Sequence, residues 1–349
     1  MSNGLLFPMP VGDVAPSRRD PRWVEFHRRG PILRPARGGD PDSGVFGIDL
    51  TAGCAHGCPF CHIRGAPSYP GDGRILFDPS VSRRLAWTLD DLKQPPRLVV
   101  LSPTSDPFPP NRQAREEASR VARILLERGI EVMLMTRGRI PLRLIDVLAE
   151  HKSRVKVAVA LTTMRRDLSR ALEPRATPPL VRVHRIGRMI EAGLNVEVRL
   201  EPLIAGLTDT AENVKPMFDE LAHAGARRVV AHYLFLHTAM TGPLKEALRP
   251  LSFGEKLDDD YKGGPVFSMG TLGSTKHLPL ETRRAGLAAL TLWGAEHGLV
   301  VETGSHQNPD LRRADGHLPA VTRSVRPSRS SRGTSPGGSA PLPINPTPA

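Results

Sequence analysis

The stretch "VFGIDLTAGCAHGCPFC", residues 45–61, joins two signals: a short β-rich run, Val45–Thr51, and a glycine-rich loop that carries Cys54, Cys58 and Cys61. These are the only cysteines in a chain of 349 residues. An odd number of thiols gathered on one loop does not suit a disulfide framework and points to a reducing compartment. Buried structural cysteines would be scattered along the chain. Thiols four and three residues apart can instead converge on one inorganic centre. Gly53 and Gly57 give the backbone the freedom to bring them together, and Pro59 stiffens the path from Cys58 to Cys61.

Outward from this loop an alternation repeats. β-rich runs stand at 45–51, 97–102, 130–136, 154–163, 194–204 and 226–236, and stretches of helical period lie near 80–92, 111–128, 141–150, 165–172, 178–192 and 210–224. Val99–Leu101 is apolar at consecutive positions, as in a parallel strand covered by helices on one face and turned to an interior on the other. Gly129, Gly193 and Gly225 each stand between a helical stretch and a strand, where a left-handed cap is needed. Six βα units predict an α/β fold in which a parallel (βα)6 sheet, residues 44–236, curves into a full or partial barrel. Such sheets collect their chemistry at the C-terminal ends of the strands, and the cysteine loop follows the first strand at that end.

Residues 1–43, rich in Pro and Gly without a clear period, predict an irregular arm; 237–310 predicts an extension that closes the barrel and shapes a pocket. Residues 311–349, with Ser, Pro, Gly and Arg and almost nothing to fill a core, predict a disordered tail. The net charge is +12, of which the tail carries +5 and the arm +2, so the remaining +5 is a modest excess for the body of the protein. That distribution weakens, without removing, a nucleic-acid reading. No apolar run approaches the roughly 18–20 residues of a membrane span, and the start lacks a secretory pattern. The expected location is the cytoplasm, with no membrane partner.

Two inorganic centres compete for the thiols. Structural zinc takes four ligands, which would make His56 or His62 the fourth and the chain a zinc or redox-sensing module. An iron–sulfur cluster held by three thiolates would leave one iron open, as catalytic metals are left.

The pattern C-x3-C-x2-C with Phe60 before the last cysteine resembles the radical S-adenosylmethionine (AdoMet) superfamily. "SPTSDPFPP" (102–110), "LMTRG" (134–138), "LTTMRRDLSRALEPRATPP" (161–179) and "EPLIAGLTD" (201–209) extend the likeness to its spore photoproduct lyase-like branch. The resemblance implies a partial TIM barrel of radical SAM type. It also implies a 4Fe-4S cluster on Cys54, Cys58 and Cys61, AdoMet on the fourth iron, and reductive cleavage to a 5′-deoxyadenosyl radical that takes hydrogen from a substrate. The electron donor implied is of flavodoxin or ferredoxin type. Cofactor contacts are expected from strand ends: Ser105 and Asp106, Thr136 and Arg137, Thr162 and Thr163, and Glu201, with Arg199 on the same face as Glu201. Glu173 and Arg175 either form an ion pair or face the cofactor, and His232, Tyr233 and His237 are substrate-side candidates.

Two departures stand out. His62 follows Cys61 where relatives often place Tyr. No cysteine remains outside the loop to return a hydrogen atom to a repaired thymine pair, although Tyr233 could in principle relay one. The substrate is not legible.

Overall fold

The computed structural model describes residues 20–35, 43–268, 273–304 and 308–311. The elements run in chain order as β1 (Arg22–Glu25), β2 (Arg34–Pro35), β3 (Val45–Ile48), β4 (Thr51–Ala52), β5 (Arg74–Phe77), α1 (Val81–Asp91), β6 (Leu98–Leu101), α2 (Arg112–Glu127), β7 (Glu131–Thr136) and α3 (Leu142–Glu150). They continue as β8 (Val155–Leu161), α4 (Arg166–Leu172), α5 (Pro179–Glu191), β9 (Val196–Leu203), α6 (Ala211–His223), β10 (Arg228–Tyr233), α7 (Thr238–Leu248), α8 (Lys256–Tyr261), β11 (Val266–Ser268), β12 (Ser274–Lys276), α9 (Leu280–Glu296) and β13 (Val300–Glu302).

The six expected strands are β3, β6, β7, β8, β9 and β10, paired in that order and all parallel. Sequence periodicity explains why. α2 buries Ala114, Ala118, Val121, Ala122 and Leu125, a stripe at helical spacing laid on the sheet, while Asn111 caps its start by accepting from Ala114 N at 2.9 Å. Gly129, Gly193 and Gly225 take φ of 74°, 79° and 85° after α2, α5 and α6. Each turns the chain back toward the next strand.

Two features go beyond the sequence reading. β13 adds to β10 in parallel, with Arg228 opposite Val300, and α9 packs on both β13 and α6. The extension therefore supplies a seventh parallel strand as well as covering elements. The arm is not irregular throughout: β1 pairs in parallel with β5, and β2 pairs antiparallel with β3 at the sheet's edge. The rest of the arm, 1–19 and 36–42, and the tail expected disordered, beyond Leu311, lie outside the described residues. With β13 at one edge and β2 at the other, the sheet does not close on itself, which makes it a partial barrel.

One apolar core runs from Ile48 and Leu101 through Val132, Val159 and Leu200 to Val229 between sheet and helices. Truncating a fully buried member such as Leu125 to Ala removes about 2–5 kcal/mol. No helix among the described residues is long and apolar enough to cross a membrane.

Candidate active site

After β3 the chain turns into β4, which pairs with β5 and fixes where the cysteine loop begins. Gly53 and Gly57 have φ of 79° and 67°. Gly57 also has a steric role: a Cβ there would run into the Arg175 guanidinium, which donates from Nε to the Ala55 carbonyl at 2.7 Å. The backbones of Arg175 and His56 are tied too, Arg175 N donating to His56 O at 3.2 Å, with His56 Nδ1 3.1 Å from Arg175 O. The segment after α4 thus straps the cysteine loop in place.

The three thiols line one cavity of about 250 Å³ at the C-terminal ends of β6 to β10. Cys58 is buried, and Cys54 and Cys61 are half-buried. Burial pushes the Cys58 thiol up to about 12 and raises those of Cys54 and Cys61 as well. Left alone they would be protonated and weakly nucleophilic. A cationic metal centre reverses that, because thiolate ligands are deprotonated outright.

A single zinc ion does not fit. Among the described residues no group of three or more His, Cys, Asp and Glu side chains is placed to hold one metal ion. His56, a proposed fourth ligand, has both nitrogens engaged: Nδ1 at Arg175 O, and Nε2 3.1 Å from Asp106 Oδ2. His62 lies against the Phe235 ring, centroids 5.9 Å apart. Thiols arranged around a cavity, rather than around a point, suit a multi-iron cluster.

The strand-end residues divide into two groups. Ser105, Asp106, Thr136, Arg137 and Glu201 line the cavity with the thiols. Thr162 and Thr163 are not brought there. Thr162 Oγ1 lies 2.9 Å from Glu201 O and 3.1 Å from Glu173 Oε1; Thr163 Oγ1 bonds Asn213 Oδ1 and accepts from Arg165 N at 3.0 Å. Both hydroxyls are consumed in holding strand ends to one another.

Within the cavity wall most polar groups are committed to protein partners. Asp106 Oδ1 accepts from Thr136 Oγ1 at 2.7 Å and Phe108 N at 2.8 Å, and Oδ2 accepts from Arg137 N at 2.7 Å. Burial opposes its ionisation, but the His56 ring and these bonds outweigh it, so the carboxyl stays below its ordinary value. Ser105 Oγ sits 3.0 Å from Thr51 Oγ1, which links β6 to the cysteine loop.

Arg137 crosses the barrel end. Its guanidinium donates to Glu173 Oε1 at 2.6 Å and to Glu201 O at 2.8 Å, with Cζ 5.1 Å from the Phe60 ring centroid. Glu173 also takes Arg182, a fully buried pair. Burial works against the Glu173 carboxylate, yet Arg182 and then Arg137 bring its pKa down to about 2. Glu173 and Arg175 therefore form no ion pair with each other. Glu201 Oε2 accepts from Arg199 at 3.0 Å; burial again opposes, Arg199 and Arg137 prevail, and its pKa is lowered.

Tyr233 lines the cavity beside His232. Its hydroxyl donates to Asp209 Oδ2 at 2.6 Å and abuts Gly286 of α9, between the helices. His232 lines the cavity, whereas His237 caps α7, accepting from Ala239 N at 3.2 Å.

Sequence reasoning missed Arg182 and the pair Ala158 and Ala160. Arg182 shares the buried face of α5 with Ile186 and Met189, so an arginine on an apolar stripe was the available signal. Ala158 and Ala160 face the cavity from β8, and their small side chains leave its middle open.

Comparison with known proteins agrees with this architecture. The Radical SAM superfamily profile matches residues 48–229. An uncharacterized protein of the Acidianus two-tailed virus is 25% identical over 236 residues, covering 60% of this chain and 76% of its own. An uncharacterized protein of Mycobacterium tuberculosis is 26% identical over 199 residues, which cover 54% of this chain and 58% of that one, so the chain spans less than two thirds of the mycobacterial relative. Among solved structures, a spore photoproduct lyase mutant superposes with a TM-score of 0.60 at 13% identity, covering 81% of this chain and 82% of the other. Another, with bound AdoMet and dinucleoside spore photoproduct, gives 0.58 at 13% identity, covering 80% and 81%. At that identity the likeness is one of fold. The profile match covers just over half of the chain, from the last residue of β3 to the start of β10, and on it the chain belongs to the radical SAM superfamily, a superfamily of enzymes.

Proposed function

We propose that Cys54, Cys58 and Cys61 hold three irons of a 4Fe-4S cluster, and that AdoMet occupies the adjoining cavity. The observation that carries this reading is the placement of all three thiols of the chain on one desolvated cavity, where only a cationic centre would make them thiolates. When bound, the cluster and AdoMet supply one-electron reductive cleavage of the sulfonium to a 5′-deoxyadenosyl radical able to take hydrogen from a substrate.

The chain's own part is to orient and to exclude water. Ala158 and Ala160 make room on β8, and Phe60 and Phe235 give the cavity apolar walls. Arg137 presents its positive charge beside Cys58 and Phe60 while Glu173 keeps it in register. Of the strand-end groups that line the cavity, Ser105 and Glu201 are the ones placed to meet the methionyl end or ribose of AdoMet. Asp106 and Thr136 position the loops that carry them.

No thiol remains for hydrogen return, and the Tyr233 hydroxyl is turned toward Asp209. Repair of a thymine photolesion through a protein thiol is therefore not the reaction proposed. The electron would come from a small reductant protein of flavodoxin or ferredoxin type. The test is 5′-deoxyadenosine release by anaerobically reconstituted protein given AdoMet and dithionite. Release that Cys58→Ala abolishes supports the reading, and release by that variant at the parent rate defeats it.

A further inference from the structure

The thiols of the cysteine loop face the cavity, but the loop is also covered from outside. Arg175, which does not line the cavity, donates from Nε to the Ala55 carbonyl at 2.7 Å and from its backbone N to the His56 carbonyl at 3.2 Å. Its half-buried guanidinium lies against Gly57, which has no side chain to thicken the cover. Arg175 stands three residues beyond α4, and Glu173 N, donating to Ser169 O at 2.8 Å, continues the last turn of that helix toward it. α4 packs on α7, and α7 packs on the turn His62–Gly65 that follows Cys61. The helix is therefore tied to the loop both before Cys58 and after Cys61.

α4 turns Leu168 and Leu172 inward and leaves Arg166 and Arg170, one turn apart, exposed on its outer face. Residues 162–178 hold four arginines against two acids, Asp167 and Glu173. Both acids are taken: Asp167 pairs with Arg165 at 2.6 Å, and the buried Glu173 with Arg137 and Arg182. On the loop itself, Asp72 pairs with Arg64. Among the described residues Arg166, Arg170 and Arg175 are in no ion pair. Like charges one turn apart on a helix face lower its stability slightly, so Arg166 and Arg170 add nothing to the fold that would account for them. A positive surface of this kind speeds encounter with an acidic partner and makes that encounter weaken with salt.

We propose that the outer face of α4, with Arg166 and Arg170, and Arg175 over the cysteine loop form the docking surface of an acidic one-electron carrier protein. With AdoMet and substrate on the cavity side, the carrier reaches the cluster through the thin cover at Ala55–Gly57. One electron passes from the reduced carrier to the oxidised cluster, and no bond or proton changes hands in that step. The surface rests on the reading above for its role, though not for binding itself.

The experiment titrates the reconstituted full chain and an Arg166→Glu/Arg170→Glu double variant into flavodoxin, an acidic carrier, and reads binding from flavin fluorescence at low and at physiological salt. Arg83→Glu/Arg143→Glu changes the net charge equally at two exposed arginines of α1 and α3 and serves as the control. The α4 variant is expected to bind about 10-fold more weakly at low salt, with a flatter salt dependence, while the control keeps the parent affinity. 5′-Deoxyadenosine release driven by reduced flavodoxin should fall with the affinity. Release driven by dithionite, which needs no docking, should match the parent. Failure of the cluster reading shows separately, as parent protein that releases nothing with dithionite. Equal affinity of the parent and the α4 variant, an equal loss in the control, or no binding of flavodoxin to the parent overturns the proposal. So does an α4 variant that loses affinity for a labelled oligothymidylate and not for flavodoxin, since the face would then bind nucleic acid.

Discussion

The two walls of the cavity differ in how far their groups are already satisfied. On the side formed by β6 to β9, Asp106, Glu173, Glu201 and Arg137 bond to one another's loops, and the carboxylates are ionised because protein cations hold them so. On the other side, burial raises the pKa of all three thiols, and the charges of Arg137 and Arg64 nearby do not offset it. The satisfied wall is framework, and the unsatisfied one is where a cationic centre would change the balance. Burying polar groups is tolerable only when they are paired, so a cluster of unpaired ones on a cavity marks its occupant.

The largest effect should come from the unsatisfied wall. Cys58→Ala is expected to abolish cluster assembly and all 5′-deoxyadenosine formation while leaving the fold intact by circular dichroism, since it removes one sulfur from a loop. On the framework wall the loss should be of stability. Glu173→Gln leaves two guanidinium groups without their shared carboxylate and should cost about 3–5 kcal/mol in a denaturant titration. Glu173 has its folded pKa depressed from the ordinary 4.5 to about 2, so its contribution is present above 4.5 and is lost as pH falls through that window. Stability measured between about pH 5 and pH 2 should fall more steeply in the parent than in Glu173→Gln.

The barrel was legible because its strands are consecutive apolar runs and its helices carry clean apolar stripes. β13 was not, being three residues with the sequence VVE, in which nothing marks a strand until β10 offers it an edge. The thiols were legible from spacing alone. The bond that joins Asp106 to Thr136 was not, because it links the loop after β6 to the end of β7, some thirty residues apart in sequence. Arg182 was marked only by its place on the apolar stripe of α5, which does not name its partner Glu173.

Two smaller effects sharpen the contrast. Gly57→Ala combines a left-handed backbone position, worth about 1–2 kcal/mol against a non-glycine residue, with displacement of the Arg175 guanidinium. Iron loading should fall in that variant and recover in part when Arg175→Ala is added, which relieves the contact but not the backbone strain. Thr163→Val removes a hydroxyl that bonds Asn213 and should cost about 1 kcal/mol of stability with 5′-deoxyadenosine release unchanged. A drop in release without a drop in stability would move Thr163 from framework to cofactor contact.

The central claim is tested most directly by electron paramagnetic resonance of the reduced, anaerobically reconstituted protein before and after AdoMet is added, with iron and acid-labile sulfide counted on the same sample. The account predicts a 4Fe-4S stoichiometry and a signal that shifts when AdoMet binds the open iron. Zinc without sulfide, or a cluster signal indifferent to AdoMet, would contradict it.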